Sequence, residues 1–160
     1  MSIERRDELI REICELRDMP APDAVLERGV LEIDGFDAAI DHFEEDPDAL
    51  YMTFQFGIVT AGRTLRVFRL LLEANLAVYA QDQAQLGLEA DTGAIVLIAR
   101  VALSEEITGQ WMLELIEHYV EHGRYWRDNI FVARETCSKT SPVATTYGSA
   151  HEPSFQWRMK

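Results

Sequence analysis

The chain is poor in several features, and each shortage narrows its class. Its 160 residues include two cysteines, Cys14 and Cys137, far apart and without metal-ligand spacing, which points to reduced thiols rather than a disulfide framework or zinc site. No apolar run approaches the ~20 residues of a membrane span. The opening MSIERRDEL lacks the apolar stretch of a signal peptide, so the expected location is the cytoplasm. Positive charge is scarce, with 15 Lys and Arg against 28 Asp and Glu and a net charge of −13. The deficit is uneven: residues 1–60 carry 16 acidic and 5 basic side chains, whereas residues 137–160 carry 1 and 3. Nucleic acids and anionic membranes both attract positive surfaces, so neither is an expected partner. A basic, extended protein segment is a better match.

Catalytic signatures are also scarce. There is no G-x-S-x-G, and Ser104 is better placed as a helix cap than as a nucleophile. Gly57 to Thr64 approaches the phosphate-cradling GxxxxGK[ST], but Arg63 replaces the lysine, and the neighbouring strands read as antiparallel. His118 and His122 are four apart beside Glu114, Glu117 and Glu121, without the order of HExxH or a third ligand fixed by spacing; an exposed helix face explains them. His42 and His151 have no evident partner in the sequence. No catalytic residue, metal or cofactor is assigned. Two other classes stay open on the residues alone: a small metal-dependent hydrolase using His118 and His122, and an acidic inhibitor that mimics nucleic acid.

What the chain does contain is patterned hydrophobicity. Leu9, Ile10, Ile13 and Leu16 make one stripe of a helix over residues 3–18, ended by Met19-Pro20-Ala21-Pro22. Val30 to Ile33, the turn Asp34-Gly35 and Phe36 to Phe43 form a hairpin. Leu50 to Ile58 alternates strictly, placing Leu50, Met52, Phe54, Phe56 and Ile58 on one face. A second hairpin joins Leu86–Ala90 to Ala94–Leu103 around Asp91-Thr92-Gly93. Ser104 with Glu105 and Glu106 is the expected start of a last helix with the stripe Ile107, Trp111, Leu115 and Tyr119, and Gly123 its expected bend. From Thr136 the sequence has no period, so a domain over 1–135 and a flexible tail over 136–160 are expected. Strands joined by short turns imply an α+β fold of order α-β-β-β-α-β-β-α, an antiparallel sheet with helices packed on it.

The helix predicted over Thr64 to Ala80 is too apolar for one buried stripe. Leu65, Phe68, Leu72, Leu76 and Tyr79 recur on one face and Val67, Leu71, Ala74 and Val78 on a neighbouring one. Such a helix needs two partners: its own domain, and a second copy of the chain as the natural candidate for the other.

The segment LLEANL (Leu71 to Leu76), then LGLEADTGAIVLIARVAL (Leu86 to Leu103), then a last helix holding Tyr125-Trp126-Arg127, resembles the class I type III secretion chaperones, the Tir-chaperone or CesT-like family. The resemblance spans about residues 3–133. It implies a homodimeric, non-enzymatic cytosolic chaperone of a bacterium with a type III secretion system. Such a chaperone binds the N-terminal region of a virulence effector in non-globular form and keeps it export-competent, with the secretion-system ATPase as a further partner. By position, the resemblance puts the dimer interface on the Leu-rich helix and following strand, at Val67, Leu71, Ala74, Val78, Leu86 and Leu88. It puts effector contacts at Leu9, Ile13 and Leu16 of the first helix and Val30, Leu31 and Ile33 of the first strand, often by strand addition.

Overall fold

The structure is a computed structural model that describes residues 2–59 and 62–131; the tail expected over 136–160, with Cys137 and His151, lies outside the described residues. Helix α1 (Ser2–Leu16) leads into α2 (Pro22–Arg28), then β1 (Val30–Ile33), β2 (Phe36–Asp41) and β3 (Ala49–Ile58). Helix α3 (Thr64–Asp82), β4 (Ala84–Leu88), β5 (Ala94–Ala102) and α4 (Gly109–Trp126) follow, and a π-helical turn (Arg127–Phe131) ends the described chain. The five strands form one antiparallel sheet of order β1-β2-β3-β5-β4.

Period-two patterning decides which face is covered. Leu31, Ile33, Phe36, Ala38, Ile40, Leu50, Met52, Phe54, Phe56, Leu86, Ile95, Leu97 and Ala99 are buried in a single cluster with residues of α1, α3 and α4. The alternating residues Glu32, Asp37, Asp41, Gln55, Gln85 and Ile98 are exposed, so among the described residues the helices form one layer and the other sheet face is open. Asp34 and Gly35 both adopt positive φ (52° and 77°), as the two-residue turn between β1 and β2 requires.

Several expectations need correction. The Pro-rich stop after α1 also starts a helix, because Pro22 sits in the first turn of α2, where its missing N–H costs nothing. Gly29 caps α2 with φ 64°, and the space its absent Cβ leaves admits the Arg6 guanidinium. Ile58 does not join the face of Leu50, Met52, Phe54 and Phe56: a bulge between Gln55 and Gly57, with Gly57 at φ 145°, shifts the alternation, and Ile58 is exposed. Ser104 does not cap α4. The cap is Thr108, whose Oγ1 accepts the Trp111 N–H at 3.2 Å, while the Glu12 carboxylate accepts the Gly109 N–H at 2.5 Å and ties α1 to the positive end of α4.

Gly123 is no bend either. It lies inside an unbroken α4, buried, where an added Cβ would come within 2.5 Å of the Phe36 ring and 2.9 Å of the Phe56 ring. The buried stripe of α4 is Met112, Leu113, Ile116, Tyr119, Val120 and Trp126, not one running from Ile107 through Trp111 and Leu115. Ile107 precedes the helix, so it does not set the phase of the stripe.

Candidate functional site

Helix α3 shows both of its rows, with their roles assigned by packing. Val67, Leu71, Ala74 and Val78 are buried in the chain's own core, as is Leu86 of β4. The other row stands in solvent: Leu65 is 85% exposed, Leu72 71%, Leu76 80% and Tyr79 60%, with Phe68 at the margin. Of the six residues expected at a dimer interface, therefore, only Leu88 presents its side chain at the surface; the other five are covered by the chain itself. The physical reason is space. A helix beside a sheet edge fits closely with Val, Ala and Leu inward, and turning Phe68 and Tyr79 inward would overfill that gap.

Asn75 lies between the two rows on a helical projection of about 100° per residue, and it marks where the sheet edge meets the helix. Its Nδ2 donates to the Leu86 carbonyl at 2.9 Å, and the Leu86 N–H donates to its Oδ1 at 2.7 Å. The exposed row thus begins past the β4 edge, toward the open sheet face where Ile98 is exposed and Val96 half-buried. This residue escaped the sequence reading. Its signal was a lone amide at the seam between two apolar rows.

The residues expected to touch an effector divide in a similar way. Leu9, Ile13, Leu31 and Ile33 are buried in the core, holding α1 and β1 in place. Leu16 is half exposed at the end of α1, and Val30 is half-buried at the start of β1. Among the described residues, β1 is an edge strand pairing only with β2. The Ile40 N–H bonds the Gly29 carbonyl at 2.9 Å, so residues 29, 31 and 33 face β2, while Val30 and Glu32 turn their backbone groups outward.

The polar clusters have structural roles. Arg127, just past α4, donates to the carbonyls of Phe56, Gln55 and Gly35 at 2.7, 3.2 and 3.0 Å, and lies 3.6 Å over the Phe36 ring. It closes the end of the sheet where β2 stops pairing with β3. Arg63, in the phosphate-loop-like segment, donates to the Ile130 carbonyl at 2.8 Å. Arg100 grips Asp46 through two bonds of 2.6 and 2.8 Å, and the Tyr51 hydroxyl adds a third at 2.7 Å. Arg100, then Tyr51, hold the Asp46 carboxyl down at about 2. Burial pushes the Cys14 thiol up.

His118 and His122 are not simply a solvated face: both are partly buried, with ring centroids 4.6 Å apart. Burial first, and the neighbouring His118 second, hold His122 down to about 4. His118 Nε2 is 3.9 Å from Asp82 Oδ2. Among the described residues, no group of three His, Cys, Asp or Glu side chains is arranged to hold a metal ion.

A two-layer α+β fold with an exposed apolar helix row and an open sheet edge defines a protein built to bind other chains. The model of the Tir chaperone protein (CesT) family matches residues 9–127, well over half the sequence, and the chain belongs to that family. Comparison with curated proteins finds no match. Among solved structures, a chain of the ExsC–ExsE complex is similar at 17% identity, covering 81% of this chain and 96% of that one with a TM-score of 0.56. A chain of the HopA1–SchA chaperone–effector complex is similar at 16% identity, covering 62% and 73% with a TM-score of 0.50. At such identities the likeness concerns the fold.

Proposed function

We propose that this chain is a type III secretion chaperone that works as a homodimer and holds the N-terminal region of one or more effectors in non-globular, export-competent form. Family membership supports the class, and both structural neighbours come from complexes, one of them a chaperone–effector complex. The observation that carries the dimer is the row Leu65, Phe68, Leu72, Leu76 and Tyr79, exposed together along one helix, since contiguous exposed apolar surface of this kind marks an interaction site. The interface residues are that row with Leu88 and Ile98. Val67, Leu71, Ala74, Val78 and Leu86 support it from behind.

The client surface lies at the other end of the sheet. Val30 and Glu32 offer outward backbone groups to an extended segment, Leu16 offers an apolar contact, and Leu9, Ile13, Leu31 and Ile33 shape the surface from beneath. Backbone pairing tolerates varied client sequences, and the acidic N-terminal half favours a basic client.

Sedimentation equilibrium tests the dimer: wild type is expected as a dimer at micromolar concentration, and Leu72→Asp as a folded monomer. A monomeric wild type overturns the dimer. Co-expression with a secreted substrate of the same bacterium tests the client edge. Glu32→Pro, which removes one outward N–H from an edge strand that can accept proline, is expected to reduce the co-purified substrate with the melting temperature little changed. Undiminished capture overturns the β1 assignment.

A further inference from the structure

The sheet has two edges, β1 and β4, and among the described residues only the β4 edge is capped by side-chain hydrogen bonds. In β4, Leu86 lies opposite Leu97, and its N–H and C=O are both directed away from β5, since both are bonded to the Asn75 side chain. An antiparallel ladder alternates, so Ala84, Leu86 and Leu88 are the outward-facing residues and Gln85 and Gly87 pair with β5. The bond from the Glu89 N–H to the Ala94 carbonyl at 2.9 Å continues that phase. With five residues in β4, Leu86 is the middle of three outward positions. One carboxamide reproduces there what a neighbouring strand would supply: one donor and one acceptor, spaced as a peptide group.

We propose that Asn75 closes the β4 edge against strand addition, so that partners on this side must meet the outer row of α3 and only the β1 edge accepts an extended segment. This rests on the reading above of α3 as a dimer face and β1 as the client edge. An incoming strand, including β4 of a second copy, would lose both central bonds of its ladder and meet α3 in its path. Unpaired edges invite such pairing, and natural sheets block it with local devices. The placement of the amide explains why a polar residue sits between two apolar rows. It also separates two modes of self-association: continuation of the sheet through β4, which Asn75 forbids, and helix-faced packing, which it leaves free.

Amide hydrogen exchange and light scattering on the full chain, for wild type and Asn75→Ala, test this. In wild type the Leu86 amide is expected to be protected like an internal ladder amide, with particle size constant across concentration. In dilute Asn75→Ala it is expected to exchange at least about tenfold faster, as two lost hydrogen bonds imply, while Leu97 and Ala99 stay protected. On concentration, the variant is expected to grow beyond the wild-type size as the Ala84, Leu86 and Leu88 amides regain protection. A purely structural role for Asn75 would lower the melting temperature without that concentration-dependent protection.

Constant particle size in Asn75→Ala with the Leu86 amide freed overturns the proposal, as does an unprotected Leu86 amide in wild type. If Asn75→Ala does not fold, Asn75→Leu, which keeps a similar volume but offers neither the acceptor for the Leu86 N–H nor the donor to its carbonyl, gives the same readouts. Failure of the dimer or client reading would appear separately, as a monomeric wild type or an ineffective Glu32→Pro, and would leave the β4 exchange result standing.

Discussion

Helices α3 and α4 are nearly equal in length, 19 and 18 residues, and both bury a stripe in the same core, yet they leave very different amounts of apolar surface exposed. Helix α4 buries Tyr119 and Trp126 with Met112, Leu113, Ile116 and Val120 against β1, β2, β3 and α1, and leaves Trp111 and Tyr125 partly exposed. Helix α3 buries two valines, one leucine and an alanine beside β4 and leaves three leucines and a tyrosine largely in solvent. Most of the apolar surface of α4 is covered by its own chain. Helix α3 leaves a whole apolar row uncovered, and its burial would be worth roughly 25 cal/mol per Å² removed from water.

The most severe way to break this contrast is to charge the inner row of α3. Val78→Asp would bury an unpaired carboxylate at a cost of about 3–5 kcal/mol, a large share of the roughly 5–15 kcal/mol that holds a domain folded; a steep fall in melting temperature or loss of the cooperative melt by circular dichroism is expected. The same substitution on the outer row, Leu76→Asp, is expected to leave the monomer's melting temperature nearly unchanged and to weaken self-association by about 2 kcal/mol or more, read by sedimentation. Equal effects in the two rows would erase the distinction between them.

A smaller effect is expected in α4, where close approach rather than charge is tested. Gly123→Ala should destabilise by about 1–3 kcal/mol through overpacking against Phe36 and Phe56, measured by urea denaturation; a neutral outcome would show that the two rings yield freely.

The smallest concerns pH. His122 titrates at about 4 in the folded chain, below its ordinary value, because burial and His118 disfavour the charged ring. The unfolded chain therefore binds the extra proton first, and the stability due to neutral His122 is full above about pH 6.5 and lost as pH falls toward 4. His122→Gln is expected to flatten that slope in denaturation series; an unchanged slope would place the titrating group elsewhere.

Much of this was legible in the residues. The alternation of Leu50 to Phe56, the Asp34-Gly35 and Gly93 turns and the order of the main elements follow from local pattern. The two rows of α3 were visible as well, and so was a surplus of apolar surface. Which row faces inward was not, because both are apolar at the same spacing and the choice depends on the room beside β4. The burial of Leu9, Ile13, Leu31 and Ile33 was hidden for a similar reason: apolar stripes look alike whether they meet a core or a client. Gly123 read as a break because propensity knows nothing of Phe36 and Phe56 lying against it.

By itself the sequence determined the sheet, its turns and a helix with more apolar surface than one contact can cover, since these depend on neighbours a few residues apart. Only the tertiary structure decided that Val67, Leu71, Ala74 and Val78 belong inside, that Leu65, Leu72, Leu76 and Tyr79 are left exposed, and that Asn75 meets Leu86. Those outcomes depend on volumes and hydrogen-bond directions between segments that local periodicity does not encode.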